Sequence, residues 1–372
     1  MVIIMESSKR VSSINLSEIR RMFEIADEDA ISLGLGEPDF KTPQNIIDAA
    51  SKAMNEGFTH YTSNMGILEL REAIANKLER ENGISSSADS IIVTVGASEA
   101  VYTCMQALVN PGDEVLIPDP GFLSYSACVK LAEGIPVGIK IKEENDLRMT
   151  CDDVLESITP KTKAIILNSP SNPIGSVMKK KDIKGIAEIA DDNDIFIISD
   201  EVYEKIIYDT KHYSVGQFSE NAITINAFSK TYAMTGFRVG YLSANGNISE
   251  ELLKVHQYIA ACASSMSQKA ALEALEGPQN SIKTMVSEFK KRRDLVIKRL
   301  SKMGIECPVP EGAFYVFPRV DNPEKFVSDG LKKGVVMVNG KAFGEHGSNH
   351  VRLSYATAYD KLEEAMDRLE SN

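Results

Sequence analysis

From residue 91 onward the hydrophobic pattern alternates between short apolar runs and longer amphipathic stretches. The runs at 91–95, 114–118, 136–141, 163–168, 195–199, 222–226 and 239–243 predict strands. Stretches with helical spacing lie between most of them, at 98–109, 122–133, 152–158 and 179–193. Ala164-Ile165-Ile166-Leu167 and Ile195-Phe196-Ile197-Ile198 are apolar on both faces. Strands of that kind belong to a mainly parallel sheet covered by helices on both sides. Upstream, helical periodicity covers 15–28, 43–56 and 66–82. Downstream, a helix at 266–276 stops at Gly277-Pro278, and a long helix follows over 281–302. Short strands at 313–317, 334–338 and 350–355 and a final helix from 360 form a separate α+β unit. The pattern therefore predicts an α/β protein with a large domain over 41–280 on a seven-stranded sheet. The two chain ends, 1–40 and 281–372, are expected to share a smaller α+β domain.

Composition narrows the class. The chain has 372 residues, 43% of them hydrophobic and 25% charged, as in an ordinary globular protein. A net charge of −12 with no basic-aromatic stripe argues against a nucleic-acid partner. The Lys290-Lys291-Arg292-Arg293 run is expected to be a solvated helix face. No apolar run approaches the roughly 20 residues of a membrane span, and Met1–Glu6 lacks the basic leader and apolar core of a signal peptide. Cysteines 104, 128, 151, 262 and 307 are too scattered for a zinc site or a CxxC motif, and no H-E-x-x-H is present. The expectation is a cytoplasmic protein with reduced thiols, no metal and no membrane contact.

Candidate chemistry gathers just past predicted strand ends, where open α/β sheets bind ligands. Lys230 follows the run 222–226. A lysine held there against apolar walls loses part of its charge by desolvation and becomes an amine able to form a Schiff base. Val93-Thr94-Val95-Gly96-Ala97-Ser98 runs from a strand into a helix start, which is an anion site. Asn168 to Gly175, reading NSPSNPIG, ends another strand with two asparagine amides. Asp200 emerges at the end of a buried strand and needs a cationic partner in the cleft. Arg238 and Arg352 are the candidate anion holders, Arg352 amid strand residues where a planar carboxylate suits its fork. A Schiff-base lysine, an anion cradle with an arginine, a buried carboxylate and a second arginine together suit pyridoxal phosphate and an amino-acid carboxylate.

The motifs GEPDF, YTSNMGILELR, VTVGAS, NSPSNPIG, SDEVY, SKTYAMTGFRVGY, EGAFYVF and RLSYA occur in this order between Gly36 and Ala356. With them the chain resembles the class I aminotransferases of the aspartate aminotransferase superfamily, the fold-type I pyridoxal-phosphate enzymes. The resemblance implies transfer of an amino group from an L-amino acid to a 2-oxo acid, with 2-oxoglutarate a candidate acceptor. It implies that Lys230 binds the cofactor and shuttles the proton, that Asp200 pairs with the ring nitrogen, and that Tyr203 and Asn172 hydrogen-bond the ring oxygen. Phe122 would stack on the ring, and Ala97, Ser98 and Arg238 would hold the phosphate. Arg352, Gly36 and Asn172 would bind the substrate carboxylate, and Tyr61 would reach the phosphate of the other subunit of a homodimer. Ala227 stands where many members have a serine that bonds the phosphate. Ser98 stands where some branches preferring acidic substrates have a lysine, which disfavours strict aspartate use. The same scaffold also supports β-elimination at a carbon–sulfur bond, and regulators without turnover.

Overall fold

The computed structural model describes residues 7–16 and 29–371. The helix expected over 15–28 falls, apart from its first two residues, outside them. The central sheet has seven strands: β1 Ile91–Thr94, β2 Glu114–Asp119, β3 Ile135–Lys140, β4 Thr162–Asn168, β5 Phe196–Asp200, β6 Ala222–Ala227 and β7 Gly240–Ser243. Their spatial order is β1-β7-β6-β5-β4-β2-β3. Only β7 runs antiparallel to its neighbours. All seven predicted strands are present within two residues of their expected bounds.

Alternation along each strand sends side chains to two cores. Ile165, Leu167 and Ile197 pack with Ile183, Ile186 and Ala187 of the helix Lys180–Asp192 on one face. Ala164, Ile166 and Ile198 pack on the other with Ala100, Cys104 and Leu108 of the helix Ala97–Leu108. Strand β3 lies at the sheet edge and is largely exposed, so Pro136 costs no central ladder bond there.

A third core joins the two chain ends. Ile31–Ser32 pairs in parallel with Val335–Val336. Val338–Asn339, Val351–Ser354 and Tyr315–Val316 make a three-stranded antiparallel sheet. The helix Asn280–Lys302 packs on these elements through Phe289, Val296 and Leu300.

Three expectations need correction. The helix expected over 66–82 is α-helical only over Leu68–Lys77, and the chain widens to a π-turn at Leu78–Asn82. Helices Gly246–Ile259 and Pro323–Lys332 add to the expected set. The basic run is only half solvated. Lys291 is exposed, but Arg292 is buried between the rings of Phe40 and Phe289 with its guanidinium 2.7 Å from Asp39. Arg293 is buried over Tyr208 and donates to the Pro310 carbonyl at 3.0 Å. These two arginines tie the 39–40 segment and the 310 loop to the long helix, a role that their charge alone does not reveal.

Candidate active site

The parallel strands deliver the candidate residues to one edge of the sheet. Register pairs Asn168 with Asp200, Asp200 with Ile225, and Ala227 with Gly240, so four strand ends open side by side. Above them lies a cavity of ≈ 1160 Å³. It is lined by Gly36, Ala97, Ser98, Phe122, Asn172, Asp200, Tyr203, Lys230, Arg238 and Arg352, which is every predicted site residue except Tyr61. Tyr61 is 88% exposed and is not among the residues that line the cavity.

Lys230 sits in the one-turn helix Phe228–Thr231 directly after β6. Its ammonium donates to the Gly36 carbonyl at 2.5 Å. Burial pushes its pKa down to about 8; Arg238 and Arg352 push the same way, against the pull of Glu37 and Asp200. Near neutral pH a share of this amine is therefore unprotonated and nucleophilic.

Asp200 ends β5 and is buried. The cationic partner expected for it is missing among the described residues of the chain. Its partners are neutral: the Tyr125 hydroxyl donates to Oδ2 at 2.7 Å and the Val202 N–H to Oδ1 at 3.3 Å. Burial pushes the carboxyl up to about 6, in spite of those two donors. The place of the cation is left to a ligand.

The anion cradle forms where β1 turns into the helix Ala97–Leu108. Gly96 has φ +77°, and a Cβ there would lie 2.6 Å from an Arg238 guanidinium nitrogen, so the guanidinium packs directly against the turn. Arg238 adopts a left-handed backbone, φ 50°, and donates to the Thr235 carbonyl at 2.9 Å. Glu99 braces the turn from below, with one oxygen 2.5 Å from the Val95 N–H and the other 2.6 Å from buried His256.

Arg352 is 1% exposed. It donates to Asn172 Oδ1 at 2.9 Å and to the Gly34 carbonyl at 2.5 Å. Tyr315 and Phe343 flank its guanidinium at 4.6 and 4.7 Å. Among the described residues its Nε has no partner, a buried donor suited to a ligand's acceptor. Because Asn172 Oδ1 faces Arg352 and the Asn172 N–H is held by Asn168 Oδ1 at 2.8 Å, the Asn172 amide nitrogen is the donor left for a ligand. The hydroxyls of Tyr203 and Tyr315 meet at 2.8 Å. Tyr315 also walls off Gly36, where any Cβ would collide with its hydroxyl.

These features fit pyridoxal phosphate: a desolvated amine, an uncompensated buried carboxylate, a glycine turn under an arginine and an orphaned guanidinium N–H share one cavity. Sequence patterns missed Tyr125, Tyr315, Ser229 and Thr235, which also line it. Tyr315 stands inside the motif EGAFYVF, and Tyr125 follows Phe122 within PGFLSY, so position within those stretches was the available signal.

Residues 28–369 match the family model Aminotransferase class I and II. The chain is 49% identical to the probable aspartate aminotransferase of Methanocaldococcus jannaschii, over 96% of this chain and 97% of that one. It is 44% identical to aromatic-amino-acid aminotransferase 2 of Thermococcus litoralis, over 98% of each. Its structure superposes on aspartate aminotransferase from Thermus thermophilus with maleate at a TM-score of 0.93, with 34% identity over 98% of this chain and 99% of that one.

Proposed function

The chain belongs to the class I and II aminotransferases and is a pyridoxal-phosphate-dependent aminotransferase; from that premise we propose how its own residues divide the work. When bound, the cofactor supplies an aldehyde that takes up the substrate amino group and an electron sink for the pair left on Cα. Lys230 would hold the cofactor through its amine and, when free, would carry the Cα proton as base and then acid. Asp200 holds a proton on the ring nitrogen. Tyr203 and the Asn172 amide donate to the ring oxygen, and Phe122 covers the ring face. Ala97, Ser98 and Arg238 hold the phosphate. Arg352 takes the substrate carboxylate, with Gly36 and Asn172 beside it. The described residues of the 1–40 and 281–372 segments act as a small domain that closes over 41–280 and excludes water. The observation that carries this assignment is the convergence of Lys230, Asp200, Arg238 and Arg352 on one cavity.

The described lining residues that carry positive charge are Lys230, Arg238 and Arg352, and each already has a role. None is left for a second substrate carboxylate, and Leu16, Leu35 and Tyr315 present apolar wall instead. This supports aromatic or broad amino-donor specificity over strict aspartate use. The working form is a homodimer in which Tyr61, so exposed in its own chain, reaches the phosphate of the other subunit. Five free cysteines support a reducing, cytoplasmic setting, and among the described residues no helix is long and apolar enough to cross a membrane.

Borohydride reduction followed by peptide mapping tests the lysine: label is expected on Lys230, and label elsewhere refutes the assignment. A panel of amino acids with 2-oxoglutarate tests specificity, with turnover of aspartate alone as the refuting result. Mixed dimers test the shared site. A Tyr61→Phe chain paired with a Lys230→Ala chain has one site with its own lysine and a borrowed Tyr61. Cofactor affinity at that site is expected to recover; no recovery in proven heterodimers removes Tyr61 from the site.

A further inference from the structure

Tyr125 is not among the site residues that the sequence predicts, yet it touches two that are. It lies in the first turn of the helix Ser124–Leu131 and is 1% exposed. Its hydroxyl donates to Asp200 Oδ2 at 2.7 Å. Its ring meets Phe122 edge-on, with centroids 5.7 Å apart and planes at 82°. The Tyr125 N–H also donates to the Phe122 carbonyl at 3.0 Å, a turn into the helix that brings the two residues together.

We propose that Tyr125 is a positioning residue of the active site, one side chain that fixes both the carboxylate facing the ring nitrogen and the aromatic ring that covers the cofactor. The proposal rests on the roles assigned to Asp200 and Phe122 above. The chemistry follows from the burial of Asp200. A buried carboxylate oxygen stripped of its donor is a poorer anion and a better proton acceptor. Besides the hydrogen bond from Tyr125, the charged Glu201 raises the proton affinity of Asp200 and the charged Lys230 lowers it. Neither is within hydrogen-bond reach, so Tyr125 and the Val202 N–H are the direct donors among the described residues. Burial and the facing carboxylate both raise the Tyr125 pKa, so its hydroxyl stays protonated and remains a donor. With the hydroxyl gone, the proton shared between Asp200 and the ring nitrogen moves toward Asp200. With the ring gone as well, Phe122 loses its edge-on support.

The test uses the loaded enzyme with a nitrogen-15 label in the cofactor ring, read by NMR. Asp200→Asn is expected to move the ring-nitrogen resonance toward the unprotonated position. Tyr125→Phe should move it the same way by a smaller step and lower kcat roughly tenfold with little change in KM, the effect of one lost bond to a charged group. In the Asp200→Asn background Tyr125→Phe should add nothing, because the hydroxyl acts through that carboxylate. Tyr125→Leu removes ring and hydroxyl and should bind cofactor more weakly than Tyr125→Phe. An unmoved resonance in Tyr125→Phe, or an equal kcat loss in both backgrounds, overturns the hydroxyl's role. Equal cofactor affinity in the Leu and Phe variants overturns the support of Phe122. If Asp200→Asn itself leaves the resonance in place, the failure lies with the assignment of Asp200.

Discussion

Asp200 and Glu204 are both buried at or just beyond the same strand end, and their proton affinities move in opposite directions. Asp200 faces the cavity with only neutral donors among the described residues, and burial raises it to about 6. Glu204 points into the protein. Burial pushes it up too, but Lys77, His212 and Lys205 outweigh that and hold it down at about 2. The lysines mirror the carboxylates. Lys77 is spent in a buried pair with Glu204 and donates to Asn82 at 2.7 Å. Lys230, among the described residues, has no carboxylate within ion-pair distance and falls to about 8. Glu201, Glu204 and His212 offer donor atoms within 4.8 Å of one another, as a metal site would. Lys77, Asn82 and Ser214 already satisfy those oxygens, so the cation's place there is taken. The fold thus builds a closed charge network on one side and, a few residues away, a site whose charges wait for a ligand.

The comparison breaks most sharply at the lysines. Lys230→Ala should abolish transamination and the visible absorbance of lysine-bound cofactor in a chain that remains folded. Retained absorbance, measured on the purified variant, would place the amine elsewhere. Lys77→Met should do the converse. It leaves Glu204 buried and unpaired at a cost of about 3–5 kcal/mol, seen as a lower unfolding midpoint, while the site keeps its chemistry. Adding Glu204→Gln should restore most of the loss. A stable Lys77→Met protein would mean that the network is slack.

Arg352→Lys sharpens the comparison on the substrate side. A point charge cannot reproduce the two-bond fork, and losing one charged hydrogen bond costs about 1.5–3 kcal/mol, or roughly 10- to 150-fold. That factor should appear in KM for every amino donor, and an unchanged KM removes Arg352 from the carboxylate site.

Much of the fold and the site is legible in the sequence because strands buried on both faces advertise themselves. Runs such as Ala164–Leu167 locate a strand, and the residues after it locate the site. The helix Pro323–Lys332 carries a local signature too, though periodicity alone does not pick it out. Asn322 caps it, accepting from the Lys325 N–H at 2.9 Å, and Pro323 opens it. Other features lie beyond local patterns. That Tyr125 meets Asp200 depends on how a helix start leans over a strand 75 residues away. That Arg292 is buried depends on Phe40, contributed from the other end of the chain. Long-range packing of this kind leaves no periodic mark in a sequence.

The smallest expected effect tests whether the active site carries a stability cost that the closed network does not. The Asp200 carboxyl has a folded value of about 6 against about 3.9 in an unfolded chain. Between those values the folded state binds more protons than the unfolded one, so stability falls as pH rises through that window. The cost is fully present at pH 7.5 and relieved as pH falls below about 4. Glu204 has the opposite sign: its depressed value contributes stability above about pH 4 that is lost only on acidification toward 2. Asp200→Asn deletes the first titration. A shift of about two units is worth at most about 3 kcal/mol, and the amide accepts less strongly from Tyr125, which leaves a net gain of about 1 kcal/mol. The cofactor-free Asp200→Asn protein should therefore melt above the cofactor-free wild type at pH 7.5, with the gap closing as pH is lowered toward 4. Glu204→Gln should melt below wild type across the same range. A gap for Asp200→Asn that is negative, or that does not change with pH, would show that the carboxylate is as well compensated as Glu204 and that the contrast between the two is not electrostatic.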